Sequence, residues 1–343
     1  MAKKILVTGG SGYIGSHTAV ELLQKGYEVL IADNLSNSSA DIPQRIKAIT
    51  GILPGFEKID LAERDAALGF FRRNKDLDAV IHFAALKAVG ESVQFPLLYY
   101  RNNINSTLNI LEGMKENGIR HIVFSSSCTV YGQPDRLPVT ETAPIKQAVS
   151  PYGNTKQICE EIINDSCAIS QMSAIHLRYF NPIGAHGSAL IGELPLGVPN
   201  NLMPFITQVA IGKRDYLRVW GNDYSTPDGT AIRDYIHVVD LAQAHIIAIE
   251  RLLEGRNREK TEVFNLGTGK GFSVLEVIRS FEKVSGEKPE YRFMARRQGD
   301  VEQVWADTAL ANEVLGWKAE KGLDEMTLSA WRWEQHLAGI EKV

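Results

Sequence analysis

The stretch VTGGSGYIGS (7–16) constrains this chain more than any other. It follows the apolar run KILV and leads directly into SHTAVELLQKG, whose apolar residues recur at helical spacing as far as Gly26. A buried strand that turns through glycines into a helix opens a parallel strand–helix–strand unit. The same texture then repeats. YEVLIAD (27–33), DAVIHFAA (78–85), HIVFSSS (121–127) and AIHLRYFN (174–181) read as strands, and 96–118 and 152–170 have the length and periodicity of helices. Strands apolar along their whole length, alternating with helices, predict an α/β fold: a Rossmann-type doubly wound parallel sheet covered on both faces.

After Asn181 the texture changes. PIGAHGSALIGELPLGVPN (182–200) is rich in glycine and proline without a period, so loop is expected. Strand–helix character returns at 233–255 and 262–269, with a further helix near 273–285. The expected organisation is a Rossmann domain over 1–181 with return segments at about 234–269. A smaller C-terminal lobe, from 182–233 and 270–343, would pack on it and carry the substrate.

Composition narrows the partners. A formal net charge of −4 over 343 residues supplies no basic field for nucleic acid. The apolar run at the N-terminus is too short for a signal-peptide core, and no stretch reaches the ~18 apolar residues of a membrane span. Three cysteines, Cys128, Cys159 and Cys167, form no CxxC pair, which argues against a disulfide framework and a zinc site. A reducing cytoplasm is the expected location.

The glycines read as Gly10-x-Gly12-x-x-Gly15 or as Gly9-x-x-Gly12-x-x-Gly15. Such a pattern alone is a common turn; between a strand and a helix it is a pyrophosphate cradle, because the helix start offers unpaired N–H groups and a positive dipole end. Asp33 ends the second strand 18 residues after Gly15, where a carboxylate can accept both ribose hydroxyls. It would repel a 2′-phosphate, and DNLSNSS (33–39) has no arginine to receive one, so NAD is expected over NADP.

In SPYGNTK (150–156), serine and proline mark a helix start and place Tyr152 and Lys156 at i and i+4 on one face. Chance supplies that spacing readily in a chain with 11 tyrosines. Beside an NAD site it gains a purpose: an ammonium and an oxidised nicotinamide both favour the phenolate and would make Tyr152 a general base. Ser127 closes the serine run of VFSSSCTVYG at the carboxyl edge of the sheet, where it could orient a substrate hydroxyl. Strand-end serines also merely satisfy backbone groups; the company of the other motifs favours the functional role.

These motifs, with HFAALKAVGESV, RYFNPIGAH, PNNLMP, GNDYSTPDGTAIRDYIHV and RRQGD, occur in order from residue 7 to residue 300. Together they resemble the extended short-chain dehydrogenase/reductase family and, within it, the UDP-hexose 4-epimerases. The resemblance implies a redox-neutral isomerase that interconverts UDP-glucose and UDP-galactose through a 4-keto sugar, with Tyr152 as base and with Lys156 and Ser127 beside it. NAD would stay tightly bound and be regenerated in each cycle. Its contacts would be Gly9, Gly12, Tyr13, Ile14, Gly15, Asp33, Asn34, Leu35, Ser36, Asn37, Ser38, Asp60, Leu61, Phe83, Ala84, Ala85, Leu86, Lys87, Asn102 and Phe180, together with Ser127, Tyr152 and Lys156. The UDP-sugar would meet Ser127, Tyr152, Asn181, Asn201, Leu202, Arg218, Val219, Trp220, Arg233, Arg297, Gln298, Gly299, Asp300 and Val304. The arginines suit a diphosphate, since guanidinium forks match it. Without the resemblance, Arg233, Arg296 and Arg297 read as surface charges and Lys87 as a solvated lysine. A homodimer through the helices near 93–117 and 152–169 is also implied.

Two departures from the wider family sharpen the expectation. Sugar dehydratases of this kind carry an Asp–Glu pair where this chain has Cys128 and Thr129, so the acid–base pair for eliminating water is missing. Val304 stands where bacterial epimerases often have tyrosine, which would leave room for a 2-acetamido group and admit UDP-N-acetylhexosamines. The rivals are a net NAD-dependent nucleotide-sugar oxidoreductase of the same fold, and an NAD-binding regulator without activity.

Overall fold

The computed structural model describes residues 2–297 and 301–340. β1 (Lys4–Thr8) enters the glycine turn and α1 (Tyr13–Gln24) leaves it; β2 (Glu28–Asp33), α2 (Ile42–Thr50), β3 (Gly55–Lys58), α3 (Arg64–Arg73) and β4 (Ala79–His82) follow. Next come α4 (Val89–Gln94), α5 (Pro96–Asn117), β5 (His121–Ser127), α6 (Pro151–Ala168), β6 (Ser173–Tyr179) and β7 (Asn181–Ile183). Beyond these lie α7 (Leu202–Ala210), β8 (Leu217–Trp220), β9 (Ile232–Arg233), β10 (Tyr235–His237), α8 (Val238–Leu253) and β11 (Thr261–Leu266). The chain closes with β12 (Phe272–Ser273), α9 (Val274–Ser285), β13 (Tyr291–Met294), β14 (Gln303–Val304) and α10 (Leu323–Leu337).

Seven strands form one sheet in the order β11-β6-β5-β4-β1-β2-β3, and every pairing in it is parallel. The expected Rossmann-type architecture is present. From β1 the chain winds outward to β3, then crosses back to β4 on the other side of β1. At such a reversal the two flanking crossovers leave from opposite sides, and a crevice opens at the carboxyl ends of β1 and β4.

The sheet is held from both faces. Ile5, Val7, Val20, Leu241 and Ile249 pack one face under α1 and α8. Phe70, Phe71, Ile110, Met114 and Ile163 pack the other under α3, α5 and α6. α5 approaches α3 closely because residue 113 is glycine; a Cβ there would lie 2.1 Å from the Phe71 ring. A separate apolar cluster joins α7, α9 and α10 around Met203, Ile206, Phe281 and Trp331, with Phe281 and Trp331 edge to face at 5.5 Å. Each such side chain, fully buried, stabilises the fold by roughly 1.5–3 kcal/mol.

The segment between β2 and β4 departs from the sequence expectation, which placed no elements there. β3 is an edge strand without a fully buried residue, and its sequence GFEK shows no apolar run. α2 and α3 are only 9 and 10 residues long, too short for a strong period to stand out. Among the described residues no helix is long and apolar enough to cross a membrane.

Candidate active site

The glycine turn shows a distinct reason for three of its glycines. Gly9 has φ +66°, and a Cβ on it would lie 2.8 Å from the Ala84 nitrogen. A Cβ on Gly15 would lie 2.4 Å from the Gly9 carbonyl oxygen, so this glycine lets α1 close on the turn. Gly12 is different: a Cβ there would meet only the Gly9 oxygen, at 3.1 Å, and otherwise project into open space. Gly12 is also the N-cap of α1, with no side chain capping the helix. The N–H groups of Tyr13, Ile14 and Gly15 begin a helix whose positive end opens toward the crevice. The buried Ser11 hydroxyl beside them has no hydrogen-bond partner. An uncapped helix start, a cradle that a methyl would fill and an orphaned hydroxyl fit a pyrophosphate.

Asp33 is buried at the end of β2. It accepts the Ser11 N–H at 3.0 Å, the Leu35 N–H at 2.8 Å and the Ser38 hydroxyl at 2.9 Å. The carboxylate thus ties the glycine turn to the 33–38 loop, in which Asn34 accepts the Ser36 N–H and Leu35 takes a left-handed φ of 60°. Asn37 lies on the same loop. Asp60 faces it, receiving the Asn34 amide at 3.3 Å, and Leu61 is buried with its carbonyl held by Asn109 at 2.9 Å. Asp33→Ala removes both the ribose acceptor and the brace. We expect NAD affinity, measured by calorimetry on cofactor-free protein, to fall by at least about 150-fold, the loss of about two hydrogen bonds to a charged acceptor at about 1.5 kcal/mol or more each.

The third wall is the loop after β4, Phe83 to Lys87. Asn103 holds it, accepting the Leu86 N–H at 2.8 Å while its amide donates to the Leu86 carbonyl and to Thr155, both at 3.0 Å. The expected contact, Asn102, donates to Asn103 at 3.0 Å. The sequence reading missed Asn103, whose buried amide joins α5, α6 and this loop.

On α6, the Gly153 N–H donates to Ser150 Oγ at 3.2 Å and Pro151 occupies the first turn, as the sequence implied. Tyr152 and Lys156 are both buried on the face toward β5. The Lys156 ammonium donates to the Ser125 carbonyl at 2.6 Å and sits 4.7 Å from the centre of the Phe124 ring and 6.0 Å from that of Tyr152. Ser127 ends β5; its hydroxyl accepts the Thr129 N–H at 3.2 Å and lies close enough to the Tyr152 phenol to favour the phenolate. The Thr129 hydroxyl is buried without a partner. Behind the trio, Glu160 and Arg178 pair at 2.6 Å, and the Ser126 hydroxyl donates to Glu160 at 2.5 Å. Two consecutive serines of β5 are therefore fixed by α6, one through its carbonyl and one through its side chain.

The electrostatics differ from the sequence expectation. Within the protein's own residues Lys156 does not dominate Tyr152. Burial does, pushing the phenol up to about 12, with the neighbouring Ser127 hydroxyl pulling the other way. Burial likewise pushes Lys156 down to about 8, opposed by Cys159 and Glu160. The ammonium is engaged by the Ser125 carbonyl and the Phe124 face, so further positive charge is needed to make the phenol a base at neutral pH. Cys128, in the position of the dehydratase acid, is half-buried, and desolvation pushes its thiol up to about 12.

The nucleotide-sugar candidates surround this trio. Phe180 is buried with Val130, Tyr131, Val139 and Ala306, and Val304 packs against the same group. Val304 on β14 stands in register with Arg233 on β9. The Arg233 charge is felt at the Cys128 thiol next to Ser127. Asn181 opens β7, its N–H donating to the Asp234 carbonyl at 3.0 Å. Arg218, Val219 and Trp220 form β8, and the Arg297 guanidinium lies 5.2 Å from the centre of the Trp220 ring. Arg296 instead pairs with Asp223 at 2.8 Å. Asn201 occupies the N-cap position of α7, immediately before Leu202, without a side-chain capping bond. Gln298, Gly299 and Asp300 lie outside the described residues. Lys87, expected beside the cofactor, pairs with Glu193 at 3.3 Å, and the same carboxylate oxygen accepts from Asn201 at 2.6 Å. Glu193 lies in the aperiodic 182–200 loop, where nothing in the sequence singled it out.

A doubly wound sheet with a pyrophosphate cradle at its switch point and a Ser–Tyr–Lys trio on its carboxyl edge defines a nucleotide-dependent enzyme of the short-chain dehydrogenase/reductase type. The model of the NAD dependent epimerase/dehydratase family matches residues 5–267, and the chain belongs to that family. It is 54% identical over 331 residues to the UDP-glucose 4-epimerase of Bacillus subtilis, covering 96% of each chain. Among solved structures it superposes on a UDP-glucose 4-epimerase of Stenotrophomonas maltophila with bound NAD and formylated UDP-arabinopyranose. There the TM-score is 0.94 at 47% identity, over 98% of this chain and 99% of that one. The UDP-glucose 4-epimerase of Bifidobacterium longum, in complex with NAD+ and UDP, gives a TM-score of 0.93 at 46% identity over the same shares.

Proposed function

We propose that the chain is an NAD-dependent isomerase that interconverts UDP-glucose and UDP-galactose at C4 through a 4-keto sugar, and that it also accepts UDP-N-acetylhexosamines. The observation that carries this reading is the convergence of Ser127, Tyr152 and Lys156 on one crevice with the Gly12 cradle on one side and Arg233 on the other. Relatives of about half-identical sequence under the same description support it.

Bound NAD supplies a hydride acceptor, a hydride donor for the return step and a positive charge near the phenol. This chain's residues do the rest. Ser127 hydrogen-bonds the 4-hydroxyl, and Tyr152 takes its proton as C4 is oxidised and returns it when C4 is reduced from the opposite face. Lys156 lies beside the phenol and holds the Ser125 carbonyl. Arg233, Arg297 and the 298–300 segment would hold the diphosphate and uridine while the ketone turns over, which uses binding remote from C4 to retain the intermediate. Cys128 and Thr129 stand where dehydratases carry the acid–base pair that eliminates water, so epimerisation is favoured over dehydration.

In this reading residues 1–181 with 234–269 bind NAD, and 182–233 with 270–343 form the UDP-sugar lobe. Two copies would pair through α5 and α6, where Leu97 and Leu98 expose apolar surface. The three cysteines are free, consistent with a cytoplasmic setting.

The test offers purified holoenzyme UDP-galactose without added NAD and follows UDP-glucose by NMR. Product in many-fold excess over enzyme is expected. Absorbance at 340 nm rising in step with substrate loss, and only when NAD is added, would instead identify a net oxidoreductase.

A further inference from the structure

Glu193 sits where the two lobes meet and touches both. Its Oε1 accepts from Lys87 Nζ at 3.3 Å on the cofactor side and from Asn201 Nδ2 at 2.6 Å at the start of α7 on the sugar side. The side chain is only 12% exposed. Its backbone is fixed independently: the Trp333 indole N–H on α10 donates to the Glu193 carbonyl at 2.9 Å. Trp333 reaches that position because residue 192 is glycine; a Cβ there would lie 2.5 Å from the indole.

Lys87 is anchored on its own side. Its ammonium lies 5.7 Å from the centre of the Tyr13 ring, and Tyr13, the first residue of α1, donates its hydroxyl to the Gly184 carbonyl at 2.6 Å. The Tyr13 phenol is raised first by burial and then by the Glu193 charge, so the carboxylate faces the start of the cofactor helix as well. One anion thus joins the cofactor loop, the cofactor helix and the first turn of α7. Both partners are exposed while the carboxylate between them is nearly buried, so the contacts lie at the mouth of the crevice rather than in the core.

We propose that Glu193 is a positioning residue that couples the two binding sites: UDP held at Asn201 and Leu202 fixes the Glu193 carboxylate, which fixes Lys87 over the cofactor. The proposal rests on the NAD and UDP-sugar sites assigned above. Its consequence is thermodynamic. If UDP strengthens the hold on NAD through this carboxylate, NAD strengthens the hold on UDP by the same factor. An enzyme that must keep its cofactor through an oxidised intermediate gains from holding it tightest when the nucleotide is bound.

The experiment measures loss of NAD from the holoenzyme, assayed in filtrates over time, with and without saturating UDP. UDP should slow the loss by about tenfold in the unsubstituted protein, within the range of ordinary coupling between sites. In Glu193→Gln the amide oxygen can still accept from Asn201 and the backbone bond to Trp333 is untouched, but the charge holding Lys87 is gone. The slowing should shrink to about twofold. Lys87→Met should give the same loss, and the double variant should be no worse than either single one, since all three break one chain of contacts. If Glu193→Gln does not fold, Lys87→Met alone must lose the slowing. Slowing that survives in either variant, additive losses, or no slowing in the unsubstituted protein would overturn the proposal. The readout does not use turnover. A protein that slows NAD loss with UDP but fails to epimerise UDP-galactose would refute the functional reading and leave the coupling standing.

Discussion

Tyr152→Phe removes epimerase activity by at least about 10³-fold in kcat, in the range ascribed to a positioned acid–base group, while NAD and UDP remain bound. The substitution deletes one hydroxyl and leaves the ring, which is buried beside Lys156 and Ser127. Losing one buried hydroxyl costs at most roughly 1 kcal/mol of stability, so thermal unfolding should move by only a few degrees. Structural damage and loss of the base are thereby separable. The pH behaviour gives a second check. Burial holds the phenol at about 12 in the protein's own environment and lowers Lys156 to about 8. The lysine charge is not among the causes that move the phenol, so the added positive charge of a bound oxidised nicotinamide is what would bring it down. Tyrosinate absorbance, taken as the difference between the unsubstituted protein and Tyr152→Phe, should therefore appear at far lower pH in the NAD-loaded protein than in the cofactor-free one. Residual turnover in Tyr152→Phe within tenfold of the unsubstituted enzyme would assign the base elsewhere.

That expectation was half legible in the sequence. The Ser150 cap, Pro151 and the i, i+4 spacing fix where Tyr152 and Lys156 point, because helix starts and helical periods are local properties. What dominates the phenol is not local. The Ser125 carbonyl and the Phe124 face that engage Lys156 come from β5, 31 residues away for the hydrogen bond. A sequence shows that two charges can be neighbours; it does not show which third group already occupies one of them.

The fold divides in the same way. Strands buried on both faces, such as β1 and β2, carry continuous apolar runs (Ile5–Val7 and Val29–Ala32) and could be read directly. β3, with exposed and half-buried residues at an edge, carries no such signature and was missed along with the short helices flanking it. The glycine turn was visible as a motif, yet the separate tasks of Gly9, Gly12 and Gly15 required knowing that Ala84 and the turn's own carbonyl stand behind them. Glu193 and Asn103 gave no local signal at all. Each acts by reaching across chain segments, Glu193 over 106 residues to Lys87 and Asn103 over 52 to Thr155.

Val304→Tyr should separate the two classes of sugar. Val304 is half-buried on β14, opposite Arg233 in register and packed against the group containing Phe180 and Val130, within the region assigned to the hexose. A phenol ring there adds several heavy atoms to a wall that a valine leaves short. Forcing extra atoms into a packed site costs typically 1–3 kcal/mol, and the ring would fall where a 2-acetamido group must lie. Turnover of UDP-N-acetylgalactosamine should drop by about 100-fold, equivalent to roughly 2.7 kcal/mol. Turnover of UDP-galactose, whose 2-hydroxyl needs no such space, should stay within about threefold, since the valine offers it only a wall and no polar contact. Measuring kcat/KM for both sugars on both proteins decides the matter, because only their ratio reports the pocket. Equal losses for the two substrates would mean that residue 304 supports the Phe180 cluster without lining the sugar site, and an unsubstituted enzyme inactive on the acetamido sugar would withdraw that substrate class altogether.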